Sequence, residues 1–155
     1  MDTKTIKETF CLKGLTLSSI ESFTGGLFAE EMTSISGASH FFKGAIVTYF
    51  TEEKVRLLGM TYHELDEFGV ISNETATRMA FLGRKKLVSD ICVSFTGNAG
   101  PDVMENKPAG TIYIGISSRT YATSYEFKFE GDRNEVRKLA VEKAKELLMQ
   151  FIENN

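Results

Sequence analysis

The stretch IESFTGG at residues 20–26 joins an apolar segment, residues 15–20, to an apolar segment of helical period, residues 27–35. This order predicts a strand, a tight turn and a helix. The two hydroxyl residues of the stretch, Ser22 and Thr24, lie in the predicted turn, and its two glycines open the helix. A helix N-terminus favours anions, so a hydroxyl at this point could bind phosphate or attack an acyl carbon. A plain N-cap followed by a turn is the alternative.

Strands and helices alternate along the rest of the chain. Strands are predicted at residues 15–20, 44–49, 91–95, 111–117 and 121–130. Helices are predicted at residues 3–12, 26–36, 52–58, 61–68 and 73–87, followed by a long helix that begins after Asp132. The pattern predicts one domain over residues 1–155, an α/β fold with a three-layer α/β/α sandwich on a mixed, mainly parallel sheet, a C-terminal hairpin and a long final helix.

Two of the predicted strands have contrasting patterns. Residues 44–49 are a continuous apolar run, which is typical of a strand that is buried on both faces. Residues 121–130 alternate between aromatic or Thr side chains and polar side chains, which is typical of a half-exposed antiparallel strand.

Three segments with candidate functional residues each follow a predicted strand: residues 22–26, 49–54 and 96–101. In α/β sheets, ligands gather beyond the carboxyl ends of the strands. We therefore expect the three segments to meet at one edge of the sheet.

The second of these segments carries Tyr49 and Lys54. Lys54 could be a solvated surface lysine, a phosphate ligand, or a general base for Ser22, and base chemistry requires burial or a nearby cation to lower its pKa. Tyr49 could hold the lysine or relay a proton, or could simply pack its ring at the end of a strand.

The third segment, TGNAGP at residues 96–101, has the glycine content of a phosphate-binding turn. It lacks the sequence of a P-loop or of a dinucleotide-binding loop, so an ordinary turn remains an alternative. Arg133 and Arg137 lie one turn apart on the final helix, where they could bind phosphate or carboxylate or pair with surface acids.

Composition limits the functions that need consideration. The net charge of −3, without a dense basic block, argues against nucleic acid as the main partner. No apolar run is long enough to span a bilayer and the N-terminus does not resemble a signal peptide, so we expect no membrane contact and a cytoplasmic location. Cys11 and Cys92 are predicted to be reduced core residues, and no metal site is expected.

Taken together, several motifs resemble the CinA carboxy-terminal domain family, the nicotinamide-nucleotide amidohydrolases. They occur in the family's order and cover most of the chain: ESFTGG at 21–26, GAIVTY at 44–49, EEKVRLLG at 52–59, GVIS at 69–72, FTGNAGP at 95–101, KPAGTIYIG at 107–115 and FEGDRNEVR at 129–137. The resemblance implies hydrolysis of the carboxamide of nicotinamide mononucleotide to nicotinic acid mononucleotide and ammonia. It also implies that no metal or cofactor is used and that the protein forms a homo-oligomer, a dimer or trimer.

The resemblance also implies roles for individual residues. Ser22 matches the nucleophile, Lys54 the general base, Tyr49 the partner of that base, and Arg133 the phosphate or carboxylate anchor, with Arg137 as a second candidate. Further substrate contacts are implied at the two glycine loops: Thr24, Gly25, Gly26, Thr96, Gly97 and Gly100.

The chain departs from the family pattern at a few positions near these motifs. Phe23 stands where Cys is common, and Phe50 and Thr51 stand where a small residue and Asn are common. Asn98 replaces an aliphatic or aromatic residue. The amino-terminal domain of larger members is not part of this sequence, so the resemblance implies a stand-alone enzyme.

Two alternatives to catalysis remain at the sequence level. One is a binding module that holds a nucleotide phosphate, for which the Lys54 amine would point to solvent. The other is a regulatory protein whose cavity is filled by Phe23 and Phe50.

Overall fold

The computed structural model describes residues 1–154, which form a five-stranded sheet covered by helices on both faces. The strands are β1 Leu17–Glu21, β2 Phe42–Val47, β3 Ile91–Gly97, β4 Thr111–Ser117 and β5 Ala122–Lys128. The α-helices are α1 Thr3–Lys13, α2 Leu27–Thr33, α3 Thr51–Arg56, α4 Tyr62–Phe68, α5 Asn73–Leu87 and α6 Arg133–Asn154, and a short 3-10 turn spans Ala38–His40.

The strand order in the sheet is β2-β1-β3-β4-β5. β1 pairs in parallel with β2 and with β3, whereas β4 is antiparallel to both of its neighbours. Four strands therefore run in one direction and β4 runs in the other, which confirms the mixed sheet and the C-terminal hairpin. The carboxyl ends of β1, β2 and β3 lie side by side at one edge of the sheet.

Two layers of helices enclose the sheet, as predicted. On one face, α1, α2 and α6 pack their apolar side chains against β3 and β4 in the largest core cluster, which contains Phe10, Phe28, Phe95 and Leu148. On the other face α5 crosses the sheet closely at Gly83, where an added β-carbon would lie 2.2 Å from Ile20 Cγ1. The absence of a side chain at residue 83 thus lets α5 lie directly on β1.

Local signals at the helix ends are also confirmed. Ser72 accepts a hydrogen bond from the Thr75 N–H at the start of α5. Asp132 and Glu135 form a reciprocal capping box before α6: the Glu135 N–H donates to Asp132, and the Asp132 N–H donates to Glu135. These caps satisfy N–H groups that have no partner within the helix.

Two sequence predictions are wrong in detail. Strand β2 begins at Phe42 and is only partly buried, since it lies at the edge of the sheet and no strand covers its outer side. Cys11 is exposed on α1, whereas Cys92 is buried in β3. Both cysteines are free thiols, as expected.

Within residues 1–154, no helix combines the length and the apolar character that crossing a membrane requires.

Candidate active site

The segments that follow β1, β2 and β3 meet around a cavity of about 440 Å³. This is the convergence that the order of strands and loops predicted. The cavity is lined by residues from all three segments and from the start of α6: Ser22, Phe23, Tyr49, Gly97, Asn98, Ala99, Asp102, Val103, Met104 and Arg133.

Ser22 and Lys54 are in direct contact beside this cavity. The Lys54 amine, Nζ, lies 3.2 Å from the Ser22 hydroxyl oxygen and donates to the Thr48 carbonyl oxygen at 3.0 Å. Lys54 is completely buried, although the other residues of the short helix α3 are partly or fully exposed. The amine thus points into the protein and towards Ser22, not into solvent.

Burial changes the acid–base properties of this lysine. Removal of its amine from water lowers the pKa of Lys54 from 10.5 to about 8, and the negative charge of Glu105 partly opposes that change. An amine with a pKa of about 8 is neutral in a useful fraction of molecules near neutral pH. The neutral form can accept the Ser22 hydroxyl proton, which a charged ammonium cannot.

The turn after Ser22 is shaped by two successive glycines in left-handed conformations. Gly25 has φ +60° and Gly26 has φ +105°, and side-chain-bearing residues adopt such angles at a cost. The Gly25 N–H donates to the Ser22 carbonyl oxygen. Across residues 1–154, the N–H groups of Phe23, Thr24 and Gly26 have no acceptor. These three groups are candidates for an oxyanion hole.

The start of α2 does not offer its N–H groups to a ligand, contrary to the sequence expectation. The Glu21 carboxylate accepts from the Phe28 and Ala29 N–H groups, each at 3.0 Å. Thr24 is fully buried and its hydroxyl donates to the same carboxylate at 2.9 Å. The Thr24 hydroxyl is thus engaged within the protein, and its backbone N–H remains the candidate substrate contact.

Arg133 bridges two sides of the cavity. Its guanidinium donates to the Tyr49 hydroxyl oxygen at 2.5 Å and to the Gly100 carbonyl oxygen at 2.8 Å. Tyr49 therefore contacts Arg133. Within residues 1–154, the hydrogen-bond partners of the Lys54 amine are the Ser22 hydroxyl and the Thr48 carbonyl oxygen. The expected hydrogen bond from Tyr49 to Lys54 is wrong because the exposed tyrosine ring reaches across the cavity to α6.

Arg137 fastens the Ser22 turn from the side of α6. Its guanidinium donates to the carbonyl oxygens of Phe23 at 3.2 Å and Thr24 at 2.9 Å. In a trans peptide the C=O and N–H groups point in opposite directions, so the bond to Phe23 O turns the Thr24 N–H away from Arg137. Arg137 therefore contacts the carbonyl side of the turn, opposite the Thr24 N–H. A direct contact of Arg137 with substrate remains a prediction.

The loop after β3 is ordered by residues that sequence reasoning treated as secondary. The buried Asn98 amide donates to the carbonyl oxygens of Met104 and Lys107 and accepts from the Met104 N–H. Residues 102–104 therefore form part of the cavity wall. An Asn at the start of a long glycine-rich loop was the available signal, because its side chain can satisfy three backbone groups.

The remaining predicted contact, Thr96, has its side chain committed elsewhere. Thr96 is buried and its hydroxyl donates to the Val70 carbonyl oxygen at 2.8 Å, which ties β3 to the segment before α5. Gly97, the next residue, lines the cavity. The Thr96 hydroxyl therefore supports the cavity wall in this structure.

Two of the residues that depart from the family pattern, Phe23 and Phe50, leave the cavity open. Phe23 is buried and packs edge-on against Phe95, with ring centroids 6.4 Å apart. Phe50 is 71% exposed and is not among the residues that line the cavity. A cavity filled by these two side chains is therefore not what the structure shows.

Two curated relatives of this chain carry the same name. It is 41% identical over 155 residues to the "Putative competence-damage inducible protein" of Bacillus subtilis, and 44% identical over 144 residues to a protein of the same name from Listeria monocytogenes serotype 4a. These alignments cover 98% and 92% of the chain but 37% and 35% of the relatives. The chain thus spans about a third of the length of these proteins.

Solved structures share the fold. The competence/damage inducible protein CihA from Agrobacterium tumefaciens superposes with a TM-score of 0.91 at 32% identity, covering 96% of this chain and 92% of that one. A competence or damage-inducible protein from Enterobacter asburiae gives a TM-score of 0.92 at 29% identity, covering 96% and 94%. The sequence model of one protein family, the CinA C-terminal domain, matches residues 2–152 of this chain. The chain therefore belongs to the CinA C-terminal domain family.

Proposed function

We propose that the protein is an amidase that hydrolyses the carboxamide of nicotinamide mononucleotide to nicotinic acid mononucleotide and ammonia. The observation that carries the proposal is the buried Lys54 amine, 3.2 Å from the Ser22 hydroxyl oxygen at the cavity wall. A lysine that only bound phosphate would keep its charge and face the ligand. Lys54 instead has a pKa lowered to about 8 and contacts the hydroxyl that would react.

The first half of the reaction forms an acyl-enzyme. Neutral Lys54 accepts the Ser22 hydroxyl proton while the oxygen attacks the carboxamide carbon. The N–H groups of Phe23, Thr24 and Gly26, which have no acceptor within residues 1–154, are the candidates that would stabilise the resulting oxyanion. Lys54 then returns the proton to the amide nitrogen, the C–N bond breaks, and ammonia leaves.

The second half releases the acid product. Lys54, neutral again, removes a proton from a water molecule that attacks the acyl carbon. The second tetrahedral intermediate collapses, and the Ser22 oxygen leaves with the proton from Lys54. The product is nicotinic acid mononucleotide, and both residues return to their starting protonation states.

The charges around the cavity suit a zwitterionic nucleotide. Arg133 and Asp102 both line the cavity, and they carry opposite charges. Nicotinamide mononucleotide has a cationic pyridinium ring and an anionic phosphate, so we infer that Arg133 binds the phosphate and that Asp102 faces the ring.

The direct test of the function is ammonia release from purified protein and nicotinamide mononucleotide, with the acid product identified by mass spectrometry. Nicotinamide, nicotinamide riboside and NAD serve as competing carboxamides. We expect the mononucleotide to have the highest kcat/KM. The absence of both products with all four compounds would contradict the proposal and favour a module that binds nucleotide without reaction.

The pH dependence of turnover should report the ionisation of Lys54. Because the neutral amine is the active form, kcat/KM for the mononucleotide should rise with pH and level off above an apparent pKa of about 8. Initial rates from pH 6 to 10 would measure this limb. A profile that is flat across this range, or that falls as pH rises through 8, would exclude Lys54 as the base.

Arg133→Met should weaken binding of the phosphate specifically. Loss of a charge-assisted contact corresponds to a rise in KM of about 10- to 100-fold for the mononucleotide. KM for nicotinamide riboside, which has no phosphate, should change by less than about 3-fold. Lys138→Met, which removes an exposed charge from the same helix, is the matched control. Equal increases in KM for both substrates would show that Arg133 only shapes the cavity.

A further inference from the structure

We propose that Glu21 is the positioning residue of the Ser22 turn, an inference that rests on the proposed function. Glu21 is the last residue of β1, it is completely buried, and the reaction outlined above does not use it. Its carboxylate joins the strand, the turn and helix α2 through four hydrogen bonds, and thereby fixes the direction in which Ser22 and the following N–H groups point.

The four donors come from three different structural elements. On the strand side, Ser19 donates its hydroxyl to Oε2 at 3.0 Å. On the turn side, Thr24 donates its hydroxyl to Oε1 at 2.9 Å. The Phe28 and Ala29 N–H groups at the start of α2 donate to Oε1 and Oε2, respectively. A buried carboxylate is stable only with such partners, so its presence constrains where they lie.

The backbone of Glu21 is held equally firmly. Its carbonyl oxygen accepts from the Thr48 N–H at 2.8 Å, and the next residue, Ser22, donates its N–H to the Phe95 carbonyl oxygen at 3.1 Å. β1 is thus anchored to both neighbouring strands up to Ser22. The side chain of Glu21 extends this anchoring past Ser22 to Thr24 and to α2.

This arrangement divides the N–H groups of the segment into two sets. Glu21 accepts from the Phe28 and Ala29 N–H groups at the start of α2, and the N–H groups of Phe23, Thr24 and Gly26 remain for an oxyanion. Thr24 links the two sets, since its hydroxyl donates to Glu21 while its own N–H is directed away from Arg137, which binds the carbonyl of the same peptide at Phe23. Loss of the Thr24–Glu21 bond should therefore displace the turn without uncapping the helix.

A matched pair of variants separates positioning from simple stability. Thr24→Val and Ser19→Ala each remove one hydroxyl donor from the same carboxylate, one on the turn side and one on the strand side. Thr24→Val should lower kcat about 10-fold with KM nearly unchanged, whereas Ser19→Ala should change kcat by less than about 2-fold. Glu21→Gln, which places an amide N–H₂ against backbone donors, should lower kcat about 100-fold or more.

The experiment measures kcat and KM for nicotinamide mononucleotide at a temperature where thermal unfolding shows every variant to be folded. Equal losses of kcat in Thr24→Val and Ser19→Ala, or wild-type kcat in Glu21→Gln, would overturn the proposal. If Glu21→Gln does not fold, the comparison of Thr24→Val with Ser19→Ala still decides whether Glu21 positions the Ser22 turn or only stabilises the fold.

A second readout distinguishes a failure of this proposal from a failure of the proposed function. The rate at which phenylmethanesulfonyl fluoride labels Ser22, followed by intact mass, does not require the natural substrate. If the wild type is labelled but does not hydrolyse the mononucleotide, the proposed function fails. The role of Glu21 is then supported if Glu21→Gln and Thr24→Val are labelled more slowly than the wild type and Ser19→Ala is labelled at nearly the wild-type rate. If the wild type neither hydrolyses nor labels, Ser22 is not a reactive group and the positioning role is overturned.

Discussion

Lys54→Met is expected to lower kcat for ammonia release by at least about 10³-fold and to stabilise the folded protein at neutral pH. The loss of activity follows because methionine fills a similar space but cannot accept the Ser22 proton, and Ser22 Oγ is a weak nucleophile without a base. The measurement is steady-state ammonia release at pH 8 by the variant and the wild type.

The gain in stability follows from the pKa of the buried amine. A lowering from 10.5 to about 8 corresponds to about 3 kcal/mol that the wild type loses by burying a charge below pH 8. Loss of the hydrogen bond to the Thr48 carbonyl offsets about 1 kcal/mol of this gain, so we expect a net stabilisation of about 2 kcal/mol at pH 7.

The sign of the pH dependence gives an additional check. The folded-state pKa of Lys54 is lower than its unfolded-state value, so the unfolded wild type binds more protons between pH 8 and 10.5. The free energy of unfolding of the wild type should therefore rise with pH over this interval relative to the Met variant. Denaturant unfolding at pH 7 and pH 10 measures both values.

Lys43→Met is the control, since Lys43 is an exposed lysine on β2. It should change neither kcat nor stability by a measurable amount. A Lys54→Met variant that keeps more than about a tenth of wild-type kcat would rule out a lysine base.

Ser22→Ala is expected to remove ammonia release, with a fall in kcat of about 10³- to 10⁶-fold, while nicotinamide mononucleotide still binds. The hydroxyl is the group that forms the acyl bond, and the other residues that line the cavity are unchanged. Isothermal titration of the variant should give a dissociation constant for nicotinamide mononucleotide within about 3-fold of the KM of the wild type.

The control for this change is Ser39→Ala, an exposed serine in the 3-10 turn, which should retain wild-type kcat. Full activity in Ser22→Ala would show that the nucleophile lies elsewhere. Lost binding together with lost activity would indicate collapse of the cavity instead of removal of a nucleophile.

Local sequence signals were sufficient for much of the fold. Ser72 and the Asp132–Glu135 pair mark helix starts correctly because capping depends on residues within one turn. The meeting of Ser22 with Lys54 was also predictable, since parallel strands place their carboxyl ends at the same edge of the sheet.

Hydrogen bonds between residues that are far apart in the sequence could not be predicted from such local signals. The partner of Tyr49 is Arg133, 84 residues away, and that contact depends on how α6 packs against the loops. The apolar run of β2 reads the same whether the strand is central or at the edge, so its partial exposure could be known only from the strand order.

Glu21 shows which signal sequence reasoning overlooked. A carboxylate at the end of an otherwise uncharged strand that is buried at every position must find several donors. The sequence therefore contained a hint of a buried network at residue 21, although the identity of the donors required the packing of α2 against β1.

The most direct test of the Ser22–Lys54 dyad is a rapid-quench experiment with intact-mass detection. Wild-type protein and nicotinamide mononucleotide are mixed, quenched in acid within one turnover, and digested to locate any adduct. The proposed mechanism predicts a nicotinic acid mononucleotide acyl group on the peptide that contains Ser22, formed together with the first equivalent of ammonia and absent in Lys54→Met. Ammonia release at the full rate with no acyl adduct on Ser22 would contradict it.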